Sequence, residues 1–282
     1  MKPLKSPLAN AVMRSIRENG KRPEEAVPLQ GEGLRVATYN VHKCVGVDGK
    51  LDPDRTFEVI REIGADLIAL QEADTRFGER TGLLDLKRIE QETGLIAVPA
   101  EASVRAHGWH GNVLLFRDGA IRDIRREKLP GLEPRGALLT EIALNNGSLL
   151  RVVAVHLGLL RVSRRQQADH ILGLLGNRDE AASLIMGDMN EWRLGDGSAL
   201  KRFEAAFGEL PPPRASFPAR WPVLALDRII SNRDGLVLDL AAHDSPLARV
   251  ASDHLPLTAL LDTAVLRGED RAGDGEAARA PL

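Results

Sequence analysis

The stretch Leu138-Leu139-Thr140-Glu141-Ile142-Ala143-Leu144, then Asn145-Asn146-Gly147, then Leu150-Arg151-Val152-Val153-Ala154-Val155-His156 decides the fold class. Each apolar run has the length and aliphatic content of a strand, and Asn-Gly between two such runs is a hairpin signal. The two strands therefore pair antiparallel, which argues against a purely parallel Rossmann sheet. Working outward, residues 34–41, 67–70, 112–117, 183–187, 226–231 and 255–261 also read as strands. Between them, Asp52-Pro53-Asp54 offers an N-cap followed by proline at the first helical position. Phe57, Ile60 and Ile63 then recur at helical spacing until Gly64. Residues 84–93, 163–175 and 197–207 carry further helical patterns. Many buried strands with helices among them make an α/β domain of mixed sheets covered by helices.

Composition divides the 282 residues into three zones. Residues 1–33 form a polar arm with Pro3, Pro7, Pro23 and Pro28, and residues 34–262 hold every strongly apolar segment. Residues 263–282 are expected to be disordered, because their charged and glycine-rich end cannot bury enough apolar area to order itself. Within the arm, Leu8, Val12, Met13 and Ile16 could share one helical face among basic residues. Such a segment could lie on a membrane surface, dock on the domain or stay disordered. The formal net charge is -2, from 38 basic and 40 acidic side chains, which lacks the basic excess of a dedicated nucleic-acid binder. Cys44 is the one cysteine, so no intramolecular disulfide forms, and it reads as a small apolar side chain rather than a catalytic thiol. With no long apolar span or secretory apolar core, the expected location is the cytoplasm.

Polar residues recur where the apolar runs end. Asn40 follows Thr38-Tyr39, Gln71-Glu72 follows residues 67–70, and His156 closes its run. Asp188 and Asn190 follow residues 184–187, Asp227 begins one strand, and Asp253-His254 precedes another. Side chains at strand ends can meet in one cleft while the sheet stays rigid behind them. Singly, each could cap a turn or sit satisfied in the core. Together, chance is a poor explanation.

The ordered set Thr-Tyr-Asn-Val, Leu-Gln-Glu, Val-His-Leu, Gly-Asp-Met-Asn and Ser-Asp-His-Leu-Pro resembles the endonuclease/exonuclease/phosphatase family over about residues 34–261. The resemblance implies a four-layer α/β sandwich of two packed mixed β-sheets, and hydrolysis of a phosphoester by in-line attack of water. It also implies Mg²⁺, with Mn²⁺ as a substitute, held by Glu72 and Asn40 with Asp253 as a further ligand or outer group. A hard cation with oxygen ligands suits an anionic phosphoester, which must be neutralised before a nucleophile approaches. By the same resemblance His254 is the general base and Asp227 the carboxylate that orients it. Asp188 and Asn190 would position the water and the phosphoryl oxygens, and His156 would donate to a non-bridging oxygen.

His42 stands two residues past Asn40, so a continuing strand would point it to the same side. In His110-Gly111-Asn112, Asn112 either supports the site or simply makes a turn. Arg135, Arg161, Arg165 and Arg220 fall in loops or near strand ends that could reach an anionic substrate. Near Arg220, Phe217 and Trp221 read as side chains packed against the sandwich. The reading is a phosphoesterase acting on a phospholipid head group or small phosphoester, with a DNA or RNA nuclease as the alternative. A binding module without chemistry is disfavoured by the retained polar set.

Overall fold

A computed structural model describes residues 33–75, 78–100, 105–176 and 181–268. The strands in chain order are β1 (Leu34–Asn40), β2 (Leu67–Gln71), β3 (Ile96–Ala97), β4 (Val113–Phe116), β5 (Ala120–Leu129), β6 (Arg135–Ala143), β7 (Leu149–His156), β8 (Ala182–Asp188), β9 (Asp227–Ser231), β10 (Val237–Ala242) and β11 (Leu257–Leu261). The helices are α1 (Pro53–Ile63), α2 (Leu86–Thr93), α3 (Arg161–Leu175), α4 (Ala199–Phe207), α5 (Ala248–Ala251) and α6 (Thr263–Arg267). Strands form a six-stranded sheet in the order β10-β11-β1-β2-β4-β3 and a five-stranded sheet in the order β5-β6-β7-β8-β9. Both are mixed: β1–β2 and β7–β8 run parallel, and the other pairs antiparallel.

The Asn145–Gly147 turn joins β6 to β7 as expected, with Gly147 at φ 87° and Leu144 N donating to Ser148 O at 2.9 Å. Each inner strand is apolar on both faces because each sheet is covered twice. Val36, Leu67, Ala69 and Leu114 face Leu138, Val152, Leu184 and Met186 between the sheets. On the far side of the six-stranded sheet, Ala37, Ile68 and Leu70 pack with Phe57, Ile60 and Ile63 of α1 and Ile89 of α2. Beyond the five-stranded sheet, Val153, Val155 and Ile185 pack with Ala168 and Ile171 of α3 and Leu200 and Phe203 of α4. This is the expected four-layer α/β sandwich. Local chemistry sets the helix ends: Asp52 Oδ1 accepts from Arg55 N at 2.9 Å, Pro53 opens α1, and Gly64 closes it at φ 58°.

Three strands lie outside the sequence expectation, and all three are edges: β3, β5 and β10. An edge strand buries little, so the apolar alternation that marks inner strands is weak. In β5, Arg122, Asp123, Arg125, Arg126, Glu127 and Lys128 interrupt it. A second difference corrects the boundary at 262. Asp262 Oδ1 caps α6 through Ala264 N and Val265 N, and Leu266 enters the core between the sheets. The packed chain thus extends past 262 because one leucine finds a buried seat, while the rest of the expected tail, residues 269–282, and the expected arm through residue 32 lie outside the described residues. Among the described residues, no helix is long and apolar enough to cross a membrane.

Candidate active site

Parallel strands deliver their C-terminal ends to one edge of the sandwich, and antiparallel neighbours begin there. β1, β2, β7 and β8 therefore bring Asn40, Glu72, His156 and Asp188 to the same end where β9 starts with Asp227 and Ser252–His254 leads toward β11. Register places Asp188 between His156 and Asp227 on adjacent strands. The two sheets meet across this edge, where Asn40 Nδ2 donates to Asp188 Oδ2 at 3.0 Å.

His254 and Asp227 form the tightest pair. His254 Nδ1 lies 2.8 Å from Asp227 Oδ2, and Ser216 Oγ donates to the same oxygen at 2.5 Å. With Nδ1–H spent on Asp227, Nε2 is the free ring nitrogen, 3.8 Å from Asp188 Oδ2. Burial works against a charged imidazole, but Asp227 and then Asp188 outweigh it, so the His254 pKa is raised. Burial lifts the Asp188 carboxyl in turn, opposed by His254. The Phe217 ring covers the imidazole at 4.9 Å between centroids.

The Gly187-Asp188-Met189-Asn190 sequence follows from close packing. Gly187 sits at φ 148° with its missing Cβ 1.9 Å from Val155 O, so no side chain fits there. Asn190, at φ 49°, folds back so that its N donates to Asp188 Oδ1 at 2.8 Å and its Nδ2 to Leu157 O at 2.9 Å. His156 Nε2 approaches Asp188 Oδ2 at 3.4 Å, while Arg135 Nη1 lies 3.0 Å from His156 Nδ1. A guanidinium only donates, so Nδ1 must present its lone pair and Nε2 must carry the proton. Arg135 is itself ion-paired to Glu133 at 3.2 Å.

The wall built by β1 and β2 is different in kind. After Asn40 the chain leaves the extended conformation, and His42, Lys43 and Cys44 turn through φ 47°, 58° and 56°. The strand does not continue, so His42 does not share the Asn40 face. Its Nδ1 meets Val45 O at 3.0 Å and stands 3.7 Å from Asp253 Oδ1. Glu72, at φ 53°, turns toward the cleft, where Lys43 Nζ lies 2.9 Å from its Oε2. Burial opposes ionisation of Glu72, but Lys43, then His42 and Arg135, outweigh it and hold the carboxyl below its ordinary range.

Among the described residues, no group of three His, Cys, Asp or Glu side chains could cage a metal ion. That donor set does not suit a closed zinc or calcium site. A cation that keeps most of its waters needs only one or two carboxylates, so Glu72 fits Mg²⁺ or Mn²⁺, with the Asn40 amide oxygen, which accepts from His42 N at 3.0 Å, keeping a second lone pair for it. Asp253 is half-buried beside His42, at the margin of this set.

Asn112 and Arg220, also expected as contact residues, differ in place. Asn112 is wholly buried, its amide donating to Trp109 O at 3.2 Å and Gly136 O at 3.0 Å. It ties β4 to β6 behind Glu72 rather than facing a substrate. Arg220 is exposed on a loop anchored by Ala219 N on Asp253 O. Trp221, expected to pack, is 44% exposed, whereas Phe217 does pack, on His254. Glu72, Asp74, Arg80, His110, Pro134, Arg135 and His156 line a cleft in front of the β2 and β7 ends. Sequence reasoning missed Ser216 and Lys43, since neither a serine among prolines nor a lone lysine carries a pattern.

The sequence profile of the endonuclease/exonuclease/phosphatase family matches residues 37–254. Solved structures similar to this chain include an endonuclease/exonuclease/phosphatase from Beutenbergia cavernae, 22% identical, covering 81% of this chain and 71% of its own, with a TM-score of 0.58. The mannosyl-6-phosphatase Bt3783 of Bacteroides thetaiotaomicron is 14% identical over 81% of this chain and 99% of its own, with a TM-score of 0.61. D. rerio TDP2, solved with a single-strand DNA product, is 13% identical over 82% of this chain and 100% of its own, with a TM-score of 0.60. At these identities the structures establish a shared fold. No curated protein matches the chain.

Proposed function

The chain belongs to the endonuclease/exonuclease/phosphatase family, and from that premise we propose that it is a divalent-metal-dependent phosphoesterase cleaving its substrate by in-line attack of water. The observation that carries the reading is the Asp227–His254–Asp188 cluster, a buried base held by its orienting carboxylate with a second carboxylate 3.8 Å from its other ring nitrogen. When bound, Mg²⁺ or Mn²⁺ supplies charge neutralisation to the phosphoester, with the Glu72 carboxylate and Asn40 amide oxygen as the groups that would hold it.

His254 Nε2 takes the proton from the attacking water, while Asp227 accepts Nδ1–H and supports the imidazolium that forms. The flanking carboxylates favour the imidazolium, so the ring acts as base from its neutral form and Asp227 supports the charge it gains. Asp188, held by Asn40 and Asn190, orients the water. His156 Nε2–H donates to a non-bridging oxygen as charge builds there, and Arg135 behind it adds a fixed positive charge. The substrate class argued for is a small or lipid-borne phosphoester.

A panel of bis-p-nitrophenyl phosphate, phosphatidyl lipids, plasmid DNA and an abasic duplex, each with Mg²⁺, Mn²⁺ or chelator, tests the reading. The expected result is metal-dependent hydrolysis of a small or lipid phosphoester, lost on chelation. Hydrolysis that survives chelation sinks the mechanism. Selective cleavage of DNA moves the assignment to a nuclease.

A further inference from the structure

Beside the reaction centre, three loops and the first turn of α3 hold apolar side chains out in solvent. Among the described residues nine large hydrophobic side chains are exposed, and five of them are Leu132, Leu159, Leu160, Val162 and Leu194. Leu132 is 85% exposed, Val162 63% and Leu159 61%. The loops touch one another. Leu159 N donates to Glu133 Oε1 at 2.7 Å, and the Arg161 guanidinium donates to the Asp196 carbonyl. Beneath them the Arg164–Glu191 ion pair, at 3.0 Å and almost wholly buried, binds the first turn of α3 to the third loop. Arg164 also holds the Gly158 and Leu159 carbonyls.

A single exposed leucine is ordinary on a soluble protein; five aliphatic side chains together, four on neighbouring loops and Val162 in the first turn of α3, held over a buried ion pair, mark an interaction surface. The surface adjoins the catalytic wall, because Asn190 Nδ2 bonds Leu157 O at the base of the same loops. Arg161, Arg165 and Arg193 are exposed among these leucines, with Asp196 the exposed acid between them. The exposed tips are aliphatic, and the aromatic ring of the third loop, Trp192, is half-buried with the Arg193 guanidinium 5.1 Å over it, so the rim offers no open flat face on which a base could stack, which argues against single-stranded nucleic acid as the occupant. Apolar tips with arginines around them suit an acyl boundary beneath anionic head groups.

We propose that this rim docks on an anionic phospholipid surface and presents the cleft to a phosphoester held in it. The docking stands on the rim alone; the identity of the cleaved group rests on the phosphoesterase reading.

The test is sedimentation of the full-length protein with vesicles of phosphatidylcholine, alone or mixed with phosphatidylglycerol, alongside hydrolysis of soluble bis-p-nitrophenyl phosphate with Mg²⁺. Wild type should bind the phosphatidylglycerol vesicles, and added salt should weaken but not abolish the binding. Leu132→Asp with Val162→Asp should weaken it by about 100-fold, at roughly tenfold per side chain withdrawn from lipid. The double variant should keep wild-type turnover of the soluble ester, which also certifies its fold. Absence of vesicle binding, or binding unchanged in the double variant, overturns the proposal. So does a dimer that wild type forms without lipid and the variant loses, since the occupant is then a second copy. Vesicle binding without hydrolysis of any ester would leave the docking intact and remove the phosphoesterase reading.

Discussion

On the wall built by the ends of β7, β8 and β9, Asp188 and Asp227 are nearly sealed from solvent, Asp227 hydrogen-bonded to the buried His254 that precedes β11 and Asp188 to Asn40 and Asn190. Across the cleft, the wall built by β1 and β2 offers one carboxylate, Glu72, whose charge a half-exposed lysine neutralises. The first wall has its hydrogen bonds fixed before anything binds, and its strand ends continue the core behind them. The second has left-handed turns instead of strand at His42–Cys44 and Glu72, and the proposed cation would require its ion pair to be remade. In the proposed mechanism the contrast separates proton transfer, which demands fixed geometry, from cation binding, which demands a site that can exchange partners.

The largest effect expected from this division is on turnover. His254→Ala should lower kcat by about 10³-fold, within the range for removing a general base, with KM little changed and the fold intact by circular dichroism. Glu72→Gln should lower it by about 10²-fold, and excess Mn²⁺ should restore part of the loss. If the Glu72 variant proves the more damaged, or excess metal rescues His254→Ala, the two walls do not divide the labour in this way.

The contrast also governs what could be read in the sequence. Gly187-Asp188-Met189-Asn190 was legible because a backbone collision forces the glycine and a left-handed turn favours the asparagine. Both constraints act within four residues. The inner strands were legible because covering on both faces makes them continuously apolar. Ser216, Arg135 on His156 and Lys43 on Glu72 act across separations that only the fold closes, with 11, 21 and 29 positions between partners. The edge strands β3, β5 and β10 were hidden for the same reason. Their partners are specified elsewhere, and their own side chains face water.

Cys44 anchors the looser wall. Its N donates to Val41 O and its O accepts from Asp52 N, both at 2.8 Å, with the thiol buried beneath the turn. Burial, more than the neighbouring Asp52, raises the thiol pKa from 9.0 to about 11 against the opposing hydrogen bond with Thr56. A thiol that keeps its proton longer when folded stabilises the protein fully below pH 9.0 and ceases to do so as pH rises to about 11. Urea titrations should therefore lose on the order of 2 kcal/mol across that window, and Cys44→Ala should lose less. Native protein should resist iodoacetamide at neutral pH. Ready alkylation would mean that the β1–β2 wall opens far more than its buried anchor implies.

A smaller effect tests the fixed wall. Arg135→Met frees His156 Nδ1, and turnover should fall by about tenfold, while Arg135→Lys, which still donates, should recover part of it. ¹⁵N chemical shifts of the His156 ring read the tautomer directly. Wild type should show the proton on Nε2 alone, and Arg135→Met a mixture. A wild-type ring protonated on Nδ1 would mean that the histidine is not preset.

The smallest effect bears on the other wall, where the Lys43 ammonium stands 2.9 Å from the carboxylate that would hold the cation. Two cations cannot both lie against Glu72 without repulsion, so metal must displace or share what Lys43 now occupies. Lys43→Met removes the competitor at similar side-chain length. Mn²⁺ affinity, read by calorimetry or by the electron-spin signal of free Mn²⁺, should tighten by up to about tenfold, or ~1.4 kcal/mol. Near neutral pH the gain should be full. It should fade as the solution is acidified, because Lys43 heads the charges that keep the Glu72 carboxyl ionised, and without it a proton competes sooner. Weaker Mn²⁺ binding in the variant would reverse the assignment, making Lys43 the group that holds Glu72 in place for the metal. The β1–β2 wall would then be as preset as its neighbour.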